Sequence, residues 1–327
     1  MTGDMAVEPT IAAAPKDPAR GRASRPRVGS DRVYWSVLYG ATLVFVAVCI
    51  TFLITLIASS FSAWGHSGLA LLYGTTWNPG NGQYGALPLI VGTLETTAIA
   101  LLLAVPLGFL VAIAIVHLIP ARLRTPMASL VELLAAVPSV VYGMVGVVVL
   151  APYFQQHFIP WLQTVTQGFF LFAGVPSTTS ILLAGVVLFV MVLPTIVALS
   201  RDAIATVPQD QIEGALSVGA TKWQTLFRVV LPSARTGLTG AVTLGTARAL
   251  GETIAVAMVI GNYFKITHSL VSGGTTLASA LATQWDGATS LTISALGALA
   301  VVLIAITASV NLVGRRLLHR ANQGSSL

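Results

Sequence analysis

The sequence predicts an all-α, polytopic membrane protein with six transmembrane helices. Three observations lead there. Of the 327 residues, 55% are hydrophobic and only 9% are charged, whereas a soluble domain carries about 25% charged residues. The apolar residues gather into six stretches of a length that crosses a bilayer, 37–58, 89–117, 127–151, 181–200, 236–261 and 290–313, since spanning takes roughly 20 residues. The basic residues also sort by side. Lys16, Arg20, Arg22, Arg25, Arg27, Arg32, Arg122, Arg124, Arg201, Lys222, Arg228, Arg235, Arg315, Arg316 and Arg320 fall on one side of the spans, only Lys265 falls on the other, and Arg248 lies inside a span. By the positive-inside rule both termini and the 201–235 loop are expected to be cytoplasmic. The opposite loops, 59–88 and 152–180, contain no Lys, Arg, Asp or Glu.

Each segment follows from its composition. Residues 1–33 are rich in Ala, Pro, Arg and Asp. They have too little apolar surface to fold and are expected to form a disordered basic cytoplasmic tail. The apolar stretch that follows is too long for the core of a cleaved signal, so it is expected to stay as the first span. Cys49 lies within it and is treated as a small apolar residue. The second stretch contains Pro106, which predicts a kink or tilt, and Glu95 near its outer end. The six-helix membrane domain is expected over 34–318, with a short C-terminal tail over 319–327. The formal net charge of +6 does not point to nucleic acid, because the charge flanks apolar spans. His66, His117, His157, His268 and His319 are scattered, with no metal-ligand spacing, so neither a catalytic nor a metal site is expected.

The 201–235 loop is the only sizeable one on the basic side. Asp210 to Val218 has the pattern of a short amphipathic helix, Gly219 supplies a turn, and Thr221 to Arg228 has the pattern of a second helix, expected to end at Pro232. Leu216, Val218, Trp223 and Phe227 give this knob an apolar face suited to a groove in a partner. An ordinary loop lying on the membrane surface is the alternative. The chain has no phosphate-cradling G-x-x-x-x-G-K-[ST] loop, because Lys16, Lys222 and Lys265 follow Pro15, Thr221 and Phe264. Any nucleotide is therefore expected to act through a separate subunit.

Two charges stand inside the fifth span. Arg248 falls near the bilayer midplane at ~1.5 Å of rise per residue, where a charge costs on the order of 3 kcal/mol. Glu252 follows four positions later, on the same face if the helix is continuous. The two either close a structural ion pair or offer a fixed guanidinium to a passing oxyanion, for which its planar fork is well shaped. Thr253 adds a hydroxyl beside them. Glu132 in the third span and Glu95 in the second are candidate gate or ion-pair partners. Pro138 interrupts the third span, and Ser139 and Tyr142 place hydroxyls by the break, which is either a packing kink or part of a substrate route.

These residues carry a family resemblance. Glu213, Ala215, Gly219, Val229, Leu231 and Pro232 hold the spacing of the EAA loop of ABC importer permeases, with Gly214 where the second position is usually Ala. Further segments agree in order: Trp77-Asn78-Pro79, Tyr84 to Pro88, Gly92-Thr93-Leu94, Glu132 to Gly143, Met191 to Thr195, and Arg248 to Thr253. Over nearly everything after residue 35 the chain resembles the PstC-type permease of phosphate ABC importers, of type I permease-like fold. The resemblance implies a multi-pass protein of the bacterial plasma membrane that conducts inorganic phosphate. It implies a sister permease of the PstA type, likewise carrying an EAA loop. It further implies two ATPase subunits docked on Glu213, Gly214, Ala215, Gly219, Trp223, Phe227, Leu231 and Pro232 and on the sister's loop, and an extracytoplasmic phosphate-binding protein. ATP and Mg would be bound by the partner ATPase, with no cofactor in this subunit. Arg248, Glu252, Ser139, Tyr142 and Thr253 would line the substrate pathway. The rival readings are a permease for sulfate or molybdate, a self-contained secondary transporter or channel, and a membrane-bound phosphate sensor.

Overall fold

The computed structural model describes the backbone of residues 28–323, with side chains from 33 to 316. Helix α1 runs Val28–Ser67. It thus begins before the expected end of the N-terminal tail at residue 33. The rest of that tail, residues 1–27, and the last residues of the C-terminal tail lie outside the described part. The chain divides into two compact units after Phe52. The first is the leading part of α1, whose side chains from Val33 to Phe52 are all exposed. An all-round apolar helix with no buried side chain is stable only where lipid or another protein is its solvent.

The second unit, from Leu53 onward, holds the remaining elements. After α1 come the short helix α2, Ala70–Tyr73, and a two-stranded antiparallel hairpin, β1 (Trp77–Asn78) and β2 (Gln83–Tyr84). This hairpin and an isolated parallel bridge between Gly261 and Gly274 depart from an all-helical fold. Helix α3, Leu87–Leu118, is the second span, and Pro106 lies inside it. Helix α4 covers Ala121–Ala136, α5 covers Ser139–Val165 and α6 covers Ile181–Ala205. The knob consists of α7, Gln209–Ser217, and the first turns of α8, Lys222–Gly251. Helix α9 is Ile254–Ile260, bent 59° from α8. Helices α10, Leu277–Thr283, and α11, Ser290–Gln323, complete the chain.

The third span is not where hydropathy places it. The apolar stretch 127–151 is cut at Val137-Pro138, and the span-length helix is Ser139–Val165. Proline removes a backbone donor and pushes the residue before it out of the helical region. Val137 accordingly has ψ 130°. Helix α4 becomes a separate element that packs through Val131 against Val197 of α6. Two further expectations change. Helix α6 continues past residue 200 to Ala205, which takes Arg201 out of the loop and into the helix. Pro232 does not end the second knob helix. Leu226–Val230 forms a π turn, and this wider winding carries the helix past a residue that cannot donate. Lys222–Gly251 is therefore one element, linking the knob directly to the span.

Helix α6 is central. Leu183, Val187, Leu188, Met191, Val192 and Ile196 are buried against Ala100 and Ala104 of α3 and Ala255, Val256 and Val259 of α9. Small residues on α3 and α9 let these helices approach closely, which is how packing is gained where lipid removes the hydrophobic drive. A second cluster gathers Trp77, Tyr84, Leu89, Leu277 and Leu296 around the hairpin and α10. Between α9 and α10 the chain folds back toward α3: Tyr263 N donates to Gly274 O at 2.9 Å, Gly274 N donates to Ile260 O at 2.9 Å, and Leu277 N donates to Thr93 Oγ1 at 2.9 Å.

Helices α5 and α9 cross closely at Gly143. A Cβ on Gly143 would sit 2.7 Å from Met258 Sδ and 3.0 Å from the Ala255 Cα. Gly143→Val is expected to destabilise the protein by about 1–3 kcal/mol through overpacking, with Gly143→Ala milder. Thermal unfolding in detergent monitored by circular dichroism checks this, and equal melting of wild type and valine variant would contradict it.

Candidate functional site

Two interrupted spans meet at the site. In the first, Val137-Pro138 separates α4 from α5. Leu134 O, left free by the missing helical donor, accepts from Val137 N at 3.3 Å and from Tyr142 Oη at 2.7 Å. Tyr142 thus closes the break with its own hydroxyl. Ser139 is the first residue of the helix that follows. In the second, α8 stops at Gly251 and Glu252 takes an extended ψ of 125°. Thr253 Oγ1 donates to Gly251 O at 3.1 Å, and Glu252 Oε1 accepts from Ala255 N at 3.2 Å. These bonds satisfy an orphan acceptor on one side of the break and an orphan donor on the other, groups that in hydrocarbon have no water to turn to. The close crossing at Gly143 holds the two breaks together.

Arg248 sits in the last turn of α8, where the helix dipole favours a cation. Its Nη1 donates to Thr195 Oγ1 of α6 at 3.1 Å. Tyr142 lies near enough to feel its charge. The arginine is half-buried, and among the described residues no carboxylate stands within ion-pair distance of it. Its four-residue spacing from Glu252 predicts a shared face only for an unbroken helix. Since α8 ends at Gly251, Glu252 faces the start of α9 and is used as its cap.

The other two carboxylates are placed elsewhere. Glu132 pairs with Arg201, Nη2 to Oε1 at 3.0 Å. Arg201 also donates to Asp202 Oδ1 from Nη2 at 2.8 Å and from Nε at 3.0 Å. This network ties α4 to the basic end of α6. Glu95 of α3 is half-buried, with His268 of the folded-back segment within electrostatic reach. Sequence reasoning assigned no role to Thr195 or Arg201. The available signals were a hydroxyl directly after Pro194 in an apolar span, and an arginine beside an aspartate where a helix continues.

The knob has the expected helix, turn, helix form. Gly219 takes φ +89°, a conformation that disfavours any side chain. Thr221 and Gln224 form a reciprocal capping box at the start of α8. Glu213, Gly214 and Gly219 are exposed, as are Leu216, Val218, Trp223, Phe227 and Pro232. The Trp223 and Phe227 rings stack at 6.1 Å. Ala215 and Leu231 are half-buried, with Leu231 against the cluster of Ile113, Ile204 and Val230.

A bundle of spanning helices, one of them broken beside an unpaired arginine and continuous with an exposed two-helix knob, defines a membrane permease. Residues 104–323 match the binding-protein-dependent transport system inner membrane component family, and the chain belongs to that family. Among its relatives, the phosphate transport system permease protein PstC of Pasteurella multocida is 39% identical over 293 residues, covering 87% of this chain and 92% of the relative. The protein of the same name from Haemophilus influenzae is 40% identical over 287 residues, covering 86% and 91%. The fold is shared with a chain of a bacterial alginate ABC transporter solved with an alginate-bound periplasmic protein, at TM-score 0.60 and 15% identity, over 89% of this chain and 98% of that one.

The break makes a prediction of its own. Glu252→Ala removes the cap on α9 and is expected to lower stability by about 1 kcal/mol, whereas Glu252→Gln keeps an acceptor and is expected to cost less. Denaturation midpoints of the two variants check the order, and the reverse order would return Glu252 to an ionic role.

Proposed function

We propose that this chain is the transmembrane permease subunit of an ATP-driven, binding-protein-dependent importer of inorganic phosphate. The observation that carries the reading is Arg248: a guanidinium within the span, held by one neutral hydroxyl and placed between two helix breaks. The cost of keeping it there is on the order of 3 kcal/mol. A hydrogen bond from a charged group returns roughly 1.5–3 kcal/mol and the helix end about 0.3–1 kcal/mol. An oxyanion at ~4 Å adds on the order of 4 kcal/mol even at an effective dielectric near 20, more than either. The arginine is thus near balance alone and gains most when an anion arrives. The names of the two PstC relatives make phosphate the cargo of choice.

In this reading Arg248 is the anion-binding group and Ser139 offers a hydroxyl along the route. Tyr142 and Thr253 line the route with their protons given to Leu134 O and Gly251 O, while Glu252 holds the break open. Glu132 and Glu95 serve the frame, Glu132 through Arg201. Phosphate is drawn in against the membrane potential, which opposes each negative charge by about 2.3 kcal/mol per 100 mV, so an external motor is required. ATPase subunits dock on the Glu213–Pro232 knob and on that of a PstA-type sister permease, and bind ATP and Mg. An extracytoplasmic phosphate-binding protein delivers the anion. The knob and both termini face the cytoplasm, in keeping with the basic residues on that side.

The deciding experiment is labelled-phosphate uptake into proteoliposomes containing the permease pair and ATPase, with binding protein outside and ATP inside. Uptake is expected to need both ATP and binding protein and to resist excess sulfate or molybdate; an ATP-hydrolysing complex that moves sulfate and no phosphate would overturn the cargo. In the same assay Arg248→Ala is expected to reduce uptake by at least roughly a hundredfold, the loss of one strong transition-path contact, with the complex still assembled. Loss of assembly would instead make Arg248 a packing residue. Glu213→Lys and Gly219→Val are expected to leave the permease in the membrane while ATP hydrolysis no longer drives uptake. Normal coupled uptake by both would remove the docking role of the knob.

A further inference from the structure

Beneath the knob lies a cavity of about 270 Å³. It opens where α3 ends and α8 begins, and both contribute a π turn to its wall, Ala114–Leu118 and Leu226–Val230. Such turns displace side chains from the regular helical register and recur at binding sites. Much of the lining is apolar, with Leu118 from α3, Ile212 and Leu216 from α7, and Leu226 from α8. Its polar complement is selective: the His117 ring and the Lys222 ammonium, with the Trp223 indole beside them. Arg124 lies within electrostatic reach of His117. No carboxylate lines the cavity.

Lys222 and His117 both present N–H donors to a cavity whose other walls are largely apolar. A ligand that met both donors and both kinds of wall would be an anion with an apolar body.

We propose that this cavity binds the phosphodiester and proximal acyl segment of an anionic phospholipid. The phosphate oxygens accept from Lys222 and lie beside His117, and the apolar walls take the chain. A free phosphate ion would leave the apolar walls uncovered, so the lipid is the better occupant. The consequence is regulatory: a lipid bridging the end of α3 to α7 and the start of α8 fixes the angle of the knob, so the charge of the surrounding leaflet tunes docking. This inference rests on the proposed cytoplasmic placement of the knob.

The test is native mass spectrometry of the assembled complex, containing the full chain, with phosphatidylglycerol or phosphatidylcholine at equal concentration. Phosphatidylglycerol is expected to be retained in preference. His117→Gln with Lys222→Gln is expected to reduce its retention roughly tenfold by removing two charge-assisted contacts, with Lys222→Arg alone retaining it. Equal retention of both lipids, or an unchanged double variant, would overturn the proposal. Displacement of phosphatidylglycerol by millimolar inorganic phosphate would reassign the cavity to the free ion. The sidedness is tested separately with Val218→Cys in a Cys49→Ser background. Labelling by an impermeant maleimide from outside intact cells would overturn the cytoplasmic placement whatever the lipid result. Failure of phosphate uptake would leave the lipid result standing.

Discussion

The structure depends on one constraint: a backbone polar group in hydrocarbon has no water to bond, so a spanning chain must satisfy its own. Unbroken helices do this without help from sequence. The informative places are those where the helix is interrupted and side chains must take over. At Val137-Pro138 the replacement is Tyr142, whose hydroxyl reaches back to Leu134 O. At Glu252-Thr253 it is the pair itself, one side chain serving each flank. Each unmet group would cost on the order of 2 kcal/mol or more, several times what a helix propensity contributes. The breaks survive because residues of the required type stand beside them, and the close crossing at Gly143 keeps them adjacent.

Much of this was legible in the sequence, and the failures share a physical cause. Span number and the helix, turn, helix knob follow from local signals: apolar run length, amphipathic patterning on either side of Gly219, and a glycine where φ must be positive. Pro138 is equally local, yet the third span was placed across it because hydropathy averages over a proline without registering its geometry. Pro232 failed in the opposite sense, since a neighbouring π turn absorbs what a proline normally ends. The partners of charged groups were not legible. Arg201 meets Glu132 across 69 positions of sequence, and only the fold makes them neighbours. The pairing of Arg248 with Glu252 failed because an i, i+4 rule presupposes the helix that Gly251 terminates.

Separating Arg248 from Glu252 changes what the site can do. A closed ion pair in low dielectric would hold the arginine firmly and leave an anion little to gain. Thr195 is a neutral partner and competes weakly. Among the described residues the guanidinium keeps most of its five donors uncommitted to protein, which suits the proposed role of binding an anion and releasing it again. The carboxylate, occupied at the start of α9, contributes order to the break without neutralising the cation beside it.

The path from knob to site is the remaining step. Because the π turn carries α8 past Pro232, Trp223 and Arg248 lie on one continuous helix, roughly 45 Å from Lys222 to Gly251 at about 1.5 Å per residue. A tilt imposed at the knob is therefore delivered at the far end rather than dissipated in a loop. There the helix stops, and the 59° bend to α9 is the joint that would absorb a motion driven from the knob under the proposed function. Arg248 sits on the knob side of that joint. Thr195 sits on α6, the most deeply packed helix of the bundle. In the proposed mechanism a tilt of α8 would lengthen or shorten the Arg248–Thr195 bond, coupling the position of the knob to the strength with which an anion is held.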